Sequence, residues 1–266
     1  ARDAYQEVIK YPVEKGNKVY GYAWYKLGYV YWNKGEYQNA LNAFKRTIDF
    51  GTQNSQLPNA AKLAESARRD IIPVYAMQGN PRAAYGFFHP LSGDQGGNDK
   101  TYKMMDDLGM NYLDTGHYPE AIELYKDLMS RDNSGSKTCV YQAHITEAVM
   151  AQKSNNKEAI RSELEQQIKV YNAYKAASHT ADEIHECSSK TASMVTETAM
   201  AWHIEAVGSN GQRGTGDTKT MALSAQLYQR VVDTWNKAEF ATVTFPRLVK
   251  EDWPTIFKIK YNMADL

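Results

Sequence analysis

The chain has 266 residues, and 42% of them are hydrophobic, enough to bury a large core. Its 31 basic and 31 acidic residues cancel, which argues against the basic footprint of a nucleic-acid binder. No apolar run reaches the roughly 18 residues of a membrane-spanning helix, so no span is expected.

Read in order, Tyr5, Val8 and Ile9 fall on one helical face within residues 1–11, and Tyr11-Pro12 ends the segment. This reads as the second helix of a hairpin whose first helix is missing. The chain is therefore expected to be a fragment of a longer protein, so the absence of a targeting segment is uninformative. Residues 19–50 then form a complete helix–turn–helix. Trp24, Leu27, Gly28 and Tyr31 share a face of the first helix, and Gly35 ends it. Tyr37, Ala40, Phe44 and Ile48 pattern the second. Gly28 is expected to admit the second helix at Ala40, with Phe44 and Ile48 filling the space beyond. A bulky residue at Gly28 would push the helices apart.

A long turn, 51–59, leads to a degenerate hairpin over 59–90, in which Ala84 and Phe88 are spaced like Ala40 and Phe44. It is expected to stop at His89-Pro90, before a flexible loop from Ser92 to Asn98. Over 100–133 the first pattern returns. Leu108, Gly109, Tyr112, Gly116, Tyr118, Ala121 and Tyr125 match Leu27, Gly28, Tyr31, Gly35, Tyr37, Ala40 and Phe44 at a constant offset of 81 residues (109 − 28). A fourth hairpin, 138–178, has Thr146-Glu147 where Leu-Gly stood. A fifth, 181–235, is interrupted by a loop at 209–216. A linker over 236–246 precedes a half repeat at 252–266, opened by Trp253-Pro254, which is expected to end without a partner.

Helical hairpins of this kind cannot bury their apolar faces alone and must stack. The pattern Trp-x2-Leu-Gly-x2-Tyr followed by Gly-x-Tyr-x2-Ala-x3-Phe, at Trp24–Phe44 and again near Leu108–Tyr125, resembles the tetratricopeptide repeat family. That resemblance implies an all-α fold, a right-handed superhelical solenoid of stacked repeats running through 1–266, and a non-catalytic scaffold that holds a peptide or protein. Repeats ending in Tyr-Pro, as at Tyr11-Pro12, look like those of bacterial cell-envelope members. The elongated, loop-interrupted repeats are similar to those of gliding-machinery proteins.

In this family the concave groove is lined by the first helix of each repeat, on the face away from the second helix. On that register the groove positions are Tyr22, Tyr25, Tyr29 and Trp32 in the first complete repeat. They are Ser66, Arg69, Pro73 and Ala76 in the next, and Lys103, Asp106, Met110 and Leu113 in the third. The four aromatics have the composition of an interface hot spot and are not demanded by the hairpin itself. Tyr22, Tyr25, Tyr29, Trp32, Arg69, Asp106 and Met110 are therefore the candidate partner-binding residues. The alternative is that a preceding repeat covers part of this face. Some family members clamp a carboxylate with lysine and asparagine. Tyr25 and Tyr29 stand there instead, against that mode.

The only two cysteines, Cys139 and Cys187, are either unrelated buried thiols or a disulfide formed in an oxidising compartment. His179, His185 and Cys187 lie close together but lack metal-site spacing. The stretch 211–220 has Asp217-Thr218 where a phosphate loop needs Lys-Ser/Thr. Ser134-x2-Lys137 sits in a turn rather than at the start of a helix in an enclosed site. The oxygens of Asp94 to Asp99 do not follow EF-hand spacing. His203 reads as a packing or surface residue, and Asp106-Asp107 and Glu183/Glu186 as solvated faces. No catalytic residue, metal or cofactor is expected. The expected partner is a protein or peptide, with no nucleic acid, and the expected place is the periplasm or cell envelope. The alternatives are a cytoplasmic peptide-binding adaptor, or a regulatory repeat domain of an enzyme whose catalytic part lies elsewhere.

Overall fold

A computed structural model of the chain describes residues 1–209 and 211–266; Asn210, inside the predicted loop 209–216, lies outside them. Among the described residues the fold is all-α apart from one two-stranded ribbon. The helices form consecutive hairpins, as the repeat pattern expects. Two compact units divide the chain at 128/129.

The first unit holds α1 (Arg2–Val8), α2 (Tyr20–Asn33), α3 (Tyr37–Gln53), α4 (Ala60–Ala76), α5 (Ala84–Ser92), α6 (Asp99–Asp114) and most of α7 (Tyr118–Arg131). Each helix is amphipathic because its apolar residues recur every three or four positions. Leu27, Ala40, Phe44, Ile71, Phe88, Leu108, Ala121 and Tyr125 are fully buried as a result. Helix α3 packs against both α2 and α4, and α4 packs in turn against α2 and α6. Helices α2, α4 and α6, the ones expected to line a groove, therefore lie side by side.

The expectation for Gly28 is sharpened. What the glycine admits most closely is the ring of Phe44: a Cβ at Gly28 would lie 2.7 Å from that ring. Gly109 repeats the device, with a Cβ there 2.5 Å from the ring of Tyr125.

The segment after α5 is also not slack. The helix runs past Pro90 to Ser92, since a proline this late forfeits only one backbone bond. Asp94 then accepts from the Lys100 and Thr101 amides at 3.0 and 2.9 Å and from the Ser92 and Thr101 hydroxyls at 3.0 and 2.7 Å. Burial pushes its carboxyl up, but the bonds from Thr101, Lys100 and Ser92 outweigh that and hold it at about 2.

The second unit holds α8 (Thr138–Gln152), α9 (Lys157–Ala176), α10 (Ala181–Val207), α11 (Thr218–Thr234), α12 (Lys237–Phe240) and α13 (Ile256–Ala264). Between α10 and α11, β1 (Gly208–Ser209) pairs antiparallel with β2 (Gln212–Arg213). Polar side chains replace the missing Leu-Gly pair of the fourth hairpin. Gln167 on α9 donates to Thr191 on α10 at 3.0 Å, and its carbonyl accepts from Thr146 on α8 at 3.4 Å. Cys139 and Cys187 form a disulfide that ties α8 to α10, with their Cα atoms 5.8 Å apart.

Two further expectations are corrected here. The half repeat near the C-terminus has a partner: α13 packs on α11, Ile259 is fully buried, and Asp265 accepts from or pairs with His203 Nε2 at 3.2 Å. The linker 236–246 is core rather than spacer. Asn236 and Glu239 close a capping box, and Phe240, Val243 and Phe245 are buried.

Candidate functional site

One face of α2 is a stripe of rings spaced three and four residues apart, the helical repeat. Tyr25 and Tyr29 meet edge to face at 5.3 Å, and Trp32 stacks on Tyr29 at 5.9 Å. Both tyrosine rings also lie edge-on to Phe44, at 5.9 and 5.5 Å. Their hydroxyls converge on Asp70 of α4, donating to Oδ2 at 2.5 and 2.7 Å, while Arg69 Nε donates to Oδ1 at 3.3 Å. Burial raises the pKa of both phenols, and the Asp70 carboxylate adds to the rise. Both therefore stay protonated donors at any ordinary pH.

These contacts revise the reading that the four aromatics are surplus to packing. Tyr25 and Tyr29 join α2 to α4 and help bury Phe44, so they carry structure as well as surface. Tyr22 differs. It is 48% exposed, with Lys26 Nζ 5.2 Å above its ring. It borders a cavity of about 440 Å³ lined also by Phe50, Leu57, Pro58, Leu63 and Ser66. Lys18 and Lys62 stand at the same cavity. Ser66 is the α4 counterpart of Tyr22, so the cavity lies between equivalent positions of neighbouring repeats.

Of the other candidates, Arg69 is exposed beyond its contact with Asp70, and Met110 is exposed on α6. Asp106 is not a fully solvated residue: its Oδ1 is buried without a hydrogen-bond partner among the described residues. Pro73 lies inside α4. It has no N–H to give the Arg69 carbonyl. The face thus offers rings around an Asp70 carboxylate that Tyr25, Tyr29 and Arg69 already engage, with the Arg69 side chain exposed beside it. Asp70 went unnoticed in the sequence because it is one residue off the groove register. Leu57 and Pro58 belong to the turn that stood out only for its length.

The set-aside motifs have structural roles. Cys187 is in the disulfide and offers no thiolate, and His179 stacks on Tyr174 at 3.6 Å. Asp217 caps α11, accepting from the Lys219 and Thr220 amides at 3.2 Å each, which places a carboxylate where a phosphate would sit. In the turn before α8, Asp132 accepts from the Ser134 hydroxyl and the Lys137 amide at 2.7 Å each. Glu183 is more than a solvated residue, since it closes the capping box of α10 with Thr180. His203 is buried between Tyr228 and Asp265.

Residues 21–49 match the tetratricopeptide repeat family, covering α2 and most of α3. No curated protein matches the chain. Repeats of this family generally mediate protein–protein interaction. No described helix is long and apolar enough to cross a membrane.

Proposed function

We propose that the chain is a non-catalytic scaffold that captures a protein or peptide segment along the α2–α4–α6 face, in an envelope complex of a bacterial cell. The observation that carries this reading is Tyr22, an exposed ring beside a cavity of about 440 Å³ with Leu57, Pro58 and Leu63 in its wall. An apolar pocket next to an aromatic that the core does not need is where an interface anchor inserts. The envelope assignment draws support from the Cys139–Cys187 disulfide, a bond that persists in oxidising compartments.

Crosslinking capture from the native source, with the wild-type chain and with Tyr22→Ala, tests the scaffold. A protein that depends on Tyr22, with the melting temperature unchanged, is the expected result. Capture indifferent to Tyr22, Trp32 and Arg69 would sink the reading. For the compartment, the Cys139–Cys187 peptide pair from the native cell should be linked and lack two hydrogens. Free thiols there would favour the cytoplasmic adaptor.

A further inference from the structure

The second unit contains a cavity of about 420 Å³ between α8, α10 and the segment 244–247. That segment is held in place. Phe245 is buried against Phe240 at 5.8 Å and Trp253 at 6.0 Å, and the Thr244 amide donates to Ser189 Oγ at 3.3 Å. With Phe245 turned inward, Pro246 and Arg247 form one wall. The opposite wall is one face of α10, where Ser189, Ser193 and Glu197 follow at four-residue steps beside Met194. Glu147 of α8 closes the site.

Its charged lining is Glu147, Glu186, Glu197, Lys190 and Arg247, with His185 beside them. Carboxylates outnumber the two permanent cations, and of the pair facing each other across the cavity, Glu197 and Arg247, the carboxylate is the covered partner. The Glu197 side chain is only 17% exposed on its helix, whereas that of Arg247 is 71% exposed. Glu147 is already engaged, by His144 at 3.2 Å and Lys190 at 3.8 Å. Glu197 is not. Its Oε2 reaches Arg247 only at 4.0 Å, and its Oε1 is buried with no hydrogen bond among the described residues. A covered carboxylate short of donors is costly, and a cation entering the cavity would pair with its Oε2, the oxygen that faces Arg247, since the buried Oε1 is closed to solvent. In keeping with this, burial raises the Glu197 pKa, and the distant Arg247 offsets that only in part.

We infer that this cavity binds a primary ammonium or guanidinium carried on an aliphatic chain, with the charge at Glu197 and the chain along Met194 and Pro246. The shape suits a lysine or arginine side chain and equally a free alkylamine. Both share the chemistry of a cation ending a flexible apolar stem.

The test is a titration of the intact chain, followed by NMR, with N-acetyl-lysine methylamide, 1,5-diaminopentane, the norleucine analogue and a capped aspartate. Either cation should bind at least about tenfold more tightly than norleucine. Tighter binding of capped lysine identifies a peptide-borne side chain, and tighter binding of the diamine a free amine. Glu197→Gln should weaken the cation about tenfold without lowering the melting temperature. Arg247→Ala should leave the affinity equal or greater, since Arg247 competes for the same carboxylate. The inference is overturned if norleucine binds as well as lysine or if capped aspartate binds better. It is equally overturned if neither cation binds at about 10 mM, or if Glu197→Gln changes nothing.

Discussion

The two units close their helix pairs by different chemistry. In the first, an aromatic ring occupies the space left by a glycine, Phe44 at Gly28 and Tyr125 at Gly109, and two tyrosine hydroxyls tie neighbouring hairpins through Asp70. In the second, a disulfide and a buried chain of Thr146, Gln167 and Thr191 do the joining. Ring-into-glycine packing depends on shape and fails by overlap. The polar and covalent joints depend on partners and fail when one partner is removed. The comparison therefore predicts which substitutions each unit tolerates.

The largest effect should come from Cys139→Ala with Cys187→Ala, which removes the covalent tie and costs about 3 kcal/mol. Hydrogen exchange should show the loss in 129–266, with protection in α2 and α3 unchanged. If α2 loosens equally, the units are not independent in stability. Next, Gly28→Ala and Gly109→Ala should each cost roughly 1–3 kcal/mol through overlap with a ring, read as a shift in the urea midpoint. Near-equal losses would establish that the two hairpins use one device, and a neutral Gly109→Ala would break the parallel.

Gln167→Leu strands the Thr191 hydroxyl and should cost about 1–3 kcal/mol. Asp70→Asn removes the charge that two phenols and Arg69 share. It should cost about 1–2 kcal/mol and lower the phenol pKa values of Tyr25 and Tyr29, which ultraviolet titration reads. The smallest effect is that of Asp94. Its folded pKa of about 2 lies below its ordinary value. Its stabilisation is therefore full above about pH 4 and lost as pH falls towards 2. Asp94→Asn should flatten that part of the stability–pH curve by lowering the plateau above about pH 4, neutral pH included, towards the acid-side level.

Legibility followed the same division. In the first unit, the glycine, the small residue and the ring recur at constant spacing within one hairpin, so packing partners are neighbours in sequence and their pattern can be read. The ring stripe of α2 was legible for the same reason, since Tyr22, Tyr25, Tyr29 and Trp32 recur at helical spacing. Asp70 was not, because its meeting with Tyr25 and Tyr29 spans 45 and 41 residues and depends on how α4 rotates against α2. The cavity beside Tyr22 likewise needs the turn at Leu57-Pro58 to fold back on α2.

In the second unit the hairpins could be delimited and the Cys139–Cys187 disulfide stood as one of two readings, but the polar joints could not be foreseen. A serine or threonine at a core position carries no periodic signal, because its partner rather than its hydropathy decides whether it is buried. The anchoring of the 244–247 segment to Ser189 and the docking of α13 beside His203 came from contacts distant in sequence.

The amino-acid sequence by itself determined the helices, their hairpin pairing and the ring-bearing face of α2, because these rest on local periodicity and on glycine's missing side chain. Only the tertiary structure decided that Tyr25 and Tyr29 belong partly to the framework while Tyr22 faces a cavity. It alone paired Cys139 with Cys187 and left Glu197 short of donors. Each of these depends on the distance between side chains on different helices, and no spacing along a single helix encodes that distance.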